Sequence, residues 1–198
     1  MLELYSDFAC PFCYLAECGA ARLEAAGYGI TYRAYELRPA PVPLESPAAD
    51  PLKLRGWEMM VAPAAAELGL EMRMPWIGVR TRKAHEAARH ARENGAERAM
   101  RDAIFAAYFR DGADIGRIDV LTRLAGSIGL DETDARIALD IDKHTDVVVA
   151  EAAHATRMGL GGVPAYIASR PDDPAHRPSA VVGLQDYDRL LEWVKANG

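Results

Sequence analysis

The sequence predicts an α/β fold in which a β-α-β segment and a β-β-α segment are separated by a long run of helices. Three observations predict it. A short apolar stretch at the start leads into a helix-forming run and then into an alternating stretch. A long middle section has helical spacing with no strand pattern inside it. Near the end, two β-favouring runs are followed by an amphipathic helical segment.

The first strand is placed at Leu2–Ser6, followed by a loop through Asp7-Phe8-Ala9-Cys10. From Pro11 to Ala26 the residues are mostly good helix formers. Pro11 is tolerated because the first helical turn has no N–H partner to lose, and Gly27 stands where the helix should stop. Gly29–Leu37 alternates Ile30, Tyr32, Ala34 and Tyr35 with Thr31, Arg33 and Glu36, and its β-branched and aromatic content favours a second strand. After Arg38 come Pro39, Pro41, Pro43, Pro47 and Pro51, which break any regular element and mark a junction.

Six helices are then expected: Leu54–Leu68, kinked or restarted at Pro63, then Thr81–Glu93, Ala96–Arg110, Asp119–Ile128, Glu132–Leu139 and Thr145–Met158. Thr81 and Asp119 are candidate N-caps, and Gly95, Gly112 and Gly129 punctuate the ends. Val163–Ala168 and Ser179–Val182 read as strands, and Asp186–Ala196 as a closing helix. The two halves, residues 1–43 and 146–198, make a thioredoxin-like α/β domain, with residues 44–145 as a helical insertion.

With 198 residues, half of them hydrophobic, the chain can bury a core without disulfide staples. A net charge of -6 with mixed signs argues against a nucleic-acid-binding surface. No apolar run has the length of a membrane span, and Met1-Leu2-Glu3-Leu4 does not look like the start of a signal peptide. A cytoplasmic protein without a membrane partner is the expectation. In a reducing compartment three cysteines, two of them spaced C-x-x-C, read as reactive chemistry rather than staples.

That pair is Cys10-Pro11-Phe12-Cys13. Disulfide exchange needs a thiolate, and a helix N-terminus stabilises one through its free N–H groups and dipole. In the expected cycle an exposed Cys10 attacks the substrate disulfide and a more buried Cys13 resolves the mixed disulfide. Pro11 stiffens the turn between them. The alternative of half a zinc site lacks ligands, since His85, His90, His144, His154 and His176 offer no matching pair. No metal is expected. Far downstream, Gly162-Val163-Pro164 opens a strand with a proline. Such an X-Pro bond can be cis, leaving the preceding backbone free to pair with an extended substrate, or it can be an ordinary trans edge proline.

Together, Ser6–Tyr14, Ala113-Asp114-Ile115-Gly116 and Gly162-Val163-Pro164 resemble the DsbA-like family over essentially the whole chain, and the FrnE-like cytoplasmic oxidoreductases within it. The resemblance implies a thioredoxin fold interrupted by helices, with Cys10 nucleophilic, Cys13 resolving and Pro164 cis. It also implies no cofactor beyond a redox-active Cys10–Cys13 disulfide. The partners would be protein or small-molecule thiols and disulfides, with glutathione a candidate co-substrate and a homodimer left open. Two features depart from DsbA: Phe12 replaces the histidine inside its motif, and the loop Ser169–Arg177 is longer and could reshape the substrate surface. Two other readings stand beside this one. Glutathione-dependent kappa-class transferases and 2-hydroxychromene-2-carboxylate isomerases share the architecture but carry serine in place of Cys10. A non-catalytic peptide-binding module around Phe12, Tyr14 and Val163 is the third.

Asp7 and Glu36 are candidate proton acceptors for Cys13, against capping and surface roles. Trp57–Met60 and Met72–Trp76 are expected in the core rather than in a substrate groove. Cys18, two turns beyond Cys10, is expected to be a packing residue.

Overall fold

The computed structural model describes residues 1–170 and 177–198. Its sheet has four strands in the order β2-β1-β3-β4. β1 (Leu2–Ser6) pairs parallel with β2 (Ile30–Ala34) and antiparallel with β3 (Ala165–Ala168), which pairs antiparallel with β4 (Ser179–Val182). β1 is therefore a central strand and is buried along its whole length. The period-two alternation sorts its side chains. Leu2 and Leu4, with Tyr166 and Ala168, join Ala20, Leu23, Leu190 and Val194 in one cluster. These last four come from α1 (Pro11–Ala25) and α9 (Tyr187–Asn197). Tyr5, Ala165 and Ile167 cluster with Ala155 of α8 (Thr145–Arg157).

Between β2 and α8, after a 3-10 turn at Pro47–Ala49, run six α-helices, the first two joined by a π turn: α2 (Pro51–Gly56), α3 (Ala62–Glu67), α4 (Arg82–Glu93), α5 (Glu97–Phe109), α6 (Ile118–Ser127) and α7 (Glu132–Asp140). Their core is built from Ala84, Ala88, Ile104, Phe105, Leu121 and Leu139, and it also takes in Phe8, Cys10 and Cys13 from the β1–α1 junction. The C-x-x-C thus sits on the seam between the sheet half and the helices.

Elements end where local chemistry ends them. Gly27, at φ +91°, lets α1 close with Tyr28 N–H on the Leu23 carbonyl. β2 is shorter than the expected Gly29–Leu37. The Asp7 carboxylate accepts the Leu37 N–H at 2.5 Å, and Arg82 holds Glu36, so the chain is pulled off the ladder. β3 starts two residues later than expected because Pro164 has no N–H and the Val163–Pro164 peptide is cis. The first helix of the insertion begins earlier than expected, at Pro51, capped by the Asp50 carboxylate. It passes through a π turn at Trp57–Val61 and restarts with Pro63 in its first turn. The π turn falls where Pro63 can supply no N–H to the preceding turn. Asp119 is not an N-cap: it lies inside the first turn of α6 and pairs with Arg117 and Arg123, while Thr81 occupies the cap position of α4 without a side-chain capping bond.

Trp57–Met60 and Met72–Trp76 depart from the core expectation. Trp57 and Met72 are partly buried, but Met59, Met60 and Trp76 are exposed by 77%, 59% and 79%. Met59 and Met60 lie within the π turn.

Candidate active site

Cys10 is the N-cap residue of α1, with Pro11 in the first turn. Its N–H donates to the Asp7 carbonyl at 3.0 Å, and its own carbonyl receives Cys13 N–H and Tyr14 N–H at 3.1 and 3.3 Å. The sulfur therefore lies at the positive end of the helix dipole. Across from it, the Cys10 thiol donates to the Val163 carbonyl at 3.7 Å, immediately before the cis Pro164. Cys10 is 5% exposed and Cys13 fully buried. Their expected order of burial is seen, but Cys10 is not the open thiol expected, because the Val163 loop roofs it. Its access is lateral, through a cleft of about 390 Å³.

That cleft is lined by Cys10, Pro11, Phe12, Trp57, Met74 and Phe109, with Arg38 and Lys53 among its few charged residues. A shallower groove on the other side runs past Phe12, Met60, Val163 and Leu184. Phe12 separates the two.

Behind the dithiol lies Asp7. Its N–H donates to Cys13 Sγ at 3.5 Å, and its carboxylate accepts from Ala9 N–H at 3.0 Å and from Leu37 N–H. Burial pushes its carboxyl up to about 6, against the pull of those hydrogen bonds. Burial also pushes the Cys13 thiol well above the ordinary thiol range, with the neighbouring Cys10 adding to the rise. A buried carboxyl of raised proton affinity next to a buried thiol that must ionise is an acid–base pair in the making. Glu36 is also buried, but its carboxylate is taken by Arg82 at 2.8 Å.

Sequence reasoning set His85 aside as a metal ligand without a partner, and the structure places it at the site. Its ring packs on Phe8 at 4.8 Å, its Nε2 lies 3.1 Å from the Tyr35 carbonyl, and the same nitrogen is 4.0 Å from Asp7 Oδ1. Burial and the Arg101 charge hold the imidazole down at about 3, so it is neutral. No local signal marks His85, because Asp7 and Tyr35 are distant in sequence. His90 and His144 are buried helix-packing residues, and His154 is exposed. His176 and most of the Ser169–Arg177 loop fall outside the described residues. Among the described residues no group of three or more His, Cys, Asp or Glu side chains is placed to hold a metal ion. Cys18 is half-buried on α1, beside Arg22 and Tyr187 in a separate surface cleft.

Asp7 and His85 oppose one another in their linkage to pH. Asp7 ionises near 3.8 when unfolded and near 6 when folded, so between these values only the folded chain holds the proton. Its contribution to stability is full below the lower value and is lost as pH rises through the upper one. His85 moves from 6.5 to about 3, so over the same window only the unfolded chain is protonated and stability is lost as pH falls. Each slope is about 1.4 kcal/mol per pH unit, and the two nearly cancel. The Asp7→Asn protein should therefore show the His85 slope alone, gaining about 3 kcal/mol between pH 4 and pH 6 relative to the parent. Urea unfolding across that range checks this, and parallel curves for the two proteins would contradict it.

The fold and site define a thioredoxin-like protein with a dithiol at a helix N-terminus. A family model for the DSBA-like thioredoxin domain matches residues 1–195, and the chain belongs to that family. It is 33% identical over 173 residues to the uncharacterized protein YwbO of Bacillus subtilis, covering 84% of this chain and 85% of that one. Among solved structures, a "probable DsbA oxidoreductase" from Streptomyces coelicolor matches with a TM-score of 0.83 at 23% identity, over 99% of this chain and 88% of that one. A 2-hydroxychromene-2-carboxylate isomerase matches at 0.73 and 19%, over 98% and 93%. The cytosolic disulfide reductase DsbM from Pseudomonas aeruginosa, also solved with GSH, matches at 0.67 and 20%, over 98% and 93%. At these identities the structural matches establish the shared fold. No helix among the described residues is long and apolar enough to cross a membrane.

Proposed function

We propose that the chain is a thiol–disulfide oxidoreductase working through Cys10 and Cys13 on protein or small-molecule disulfides. The observation that carries this is the stacked dithiol: Cys10 at the mouth of a cleft and at a helix N-terminus, with Cys13 directly behind it against Asp7. The Cys10 thiolate attacks one sulfur of the substrate disulfide, forming a mixed disulfide and expelling a substrate thiolate. Cys13 then passes its proton to Asp7 and attacks Cys10. The Cys10–Cys13 bond forms, the bond from Cys10 to the substrate breaks, and the second substrate thiolate leaves. The protein dithiol is oxidised by two electrons and the substrate disulfide is reduced; an external thiol restores the dithiol.

Val163 and Pro164 serve as the opposite wall, presenting backbone to an extended substrate. The cleft suits an amphipathic thiol, and glutathione is the co-substrate this reading names; the match to a structure containing GSH favours it. The cytoplasm is the compartment this reading assigns, as DsbM's description states for that protein. The isomerase match keeps a glutathione-dependent transferase as the second reading. It is disfavoured by Cys13, for which an enzyme that only activates a bound thiol has no use.

Redox poise separates the directions of flow. Phe12 supplies no hydrogen bond or charge to the Cys10 thiolate, so the couple should sit well below the ~-120 mV of DsbA, near or below about -180 mV. Such a couple is kept largely reduced by cytosolic thiols and acts as a reductase or isomerase. Equilibration of the purified protein with glutathione buffers measures this, and a potential at or above that of DsbA would overturn the assignment of direction.

A further inference from the structure

We propose that His85 is a positioning residue for the resolving step, fixing the carboxyl of Asp7, whose backbone N–H contacts Cys13 Sγ, in surroundings without an uncompensated charge. This rests on the dithiol reading above and names a residue outside the C-x-x-C motif and the proline loop.

Three contacts carry it. The Tyr35 carbonyl can only accept, so the His85 proton sits on Nε2, the nitrogen that also faces Asp7. That bond anchors the chain just beyond β2, two residues before Leu37, whose N–H grips the Asp7 carboxylate. The ring also packs on Phe8, the residue after Asp7. His85 therefore clamps both the carboxyl's own loop and the segment that donates to it.

The charges around the ring are each answered by another group. Arg101 of α5 is paired with Glu17, Arg82 of α4 with Glu36, and Arg33 of β2 with Glu3 and with Glu151 of α8. Arg89 of α4 also approaches Glu151 at 3.7 Å. Among the described residues, Asp7 is the acidic group near the ring that has no Lys or Arg partner. The neutral state of His85, enforced by burial and by Arg101, preserves that condition. A cation at position 85 would pair with Asp7 and weaken it as a base near neutral pH.

The test uses the reduced protein in a Cys18→Ala background with 5,5′-dithiobis(2-nitrobenzoate). Attack by Cys10 releases one thiolate and resolution by Cys13 a second, so the two phases are read separately. The second phase of the parent should inflect near pH 6, where Asp7 titrates. His85→Leu, which frees the Tyr35 carbonyl, should slow the second phase about tenfold while leaving the first within about twofold. His85→Gln, a neutral N–H donor, should restore most of the rate, and His85→Leu should add nothing in an Asp7→Asn background.

Equal slowing of both phases, no rescue by Gln, or full additivity with Asp7→Asn would overturn the proposal. If His85→Leu does not fold, His85→Lys decides: its inflection should fall by about one pH unit or more, and an unmoved inflection overturns the proposal. Absence of a second phase in the parent itself would instead remove the dithiol reading.

Discussion

Cys10→Ser is expected to abolish disulfide turnover, by roughly a thousandfold or more, because a serine hydroxyl at the same helix N-terminus does not ionise in the working pH range. The fold should be unaffected. Cys10 donates a single weak bond, to the Val163 carbonyl at 3.7 Å, which a hydroxyl can replace. Cys13→Ser should behave differently. It leaves the first attack intact and removes resolution, so covalent adducts accumulate at Cys10. The contrast follows from geometry: Cys10 lines the cleft, whereas Cys13 is fully buried and is not among the residues lining it. Turnover assays with a protein disulfide and a small disulfide check both variants, and retained turnover in Cys10→Ser would rule out its role as the attacking thiol.

The second large effect is on stability and lies beneath the site. Glu17 and Arg101 are both 2% exposed and ion-paired, and Arg101 also donates to Ser6 Oγ at 2.7 Å and lies over the Tyr32 ring at 4.1 Å. Arg98 reaches the same Glu17 carboxylate at 2.9 Å. The arrangement is asymmetric. Removing the Glu17 charge strands a buried guanidinium, while removing Arg101 leaves Glu17 its second cation. Glu17→Gln should therefore cost about 3–5 kcal/mol in urea unfolding, and Arg101→Met clearly less. The reverse ranking would show that Arg98 does not compensate Glu17.

The element order and the dithiol were legible because each is written in adjacent residues. Pro11 and Gly27 bracket α1, Cys10 and Cys13 are one turn apart, and Gly162-Val163-Pro164 announces its turn by type alone. What was not legible depends on partners far apart in sequence. Glu17 and Arg101, 84 positions apart, carry no local mark of burial, yet both are buried and paired. His85 resembles any helix histidine until Asp7 and Tyr35 are brought beside it. Met59 and Met60 are exposed within a π turn that periodicity does not encode. The roof over Cys10 comes from residue 163, so the accessibility of that thiol could not be read from its own helix. Asp7 lay between: its adjacency to the motif made it a candidate, but its burial depends on Leu37 and the helices above.

The most direct test of the account is the mass of the covalent adduct formed when reduced Cys13→Ser protein meets an excess of a protein disulfide. One stoichiometric mixed disulfide is expected, located by peptide mapping at Cys10, with no such adduct in Cys10→Ser. An adduct at Cys18, or none at Cys10, would contradict it.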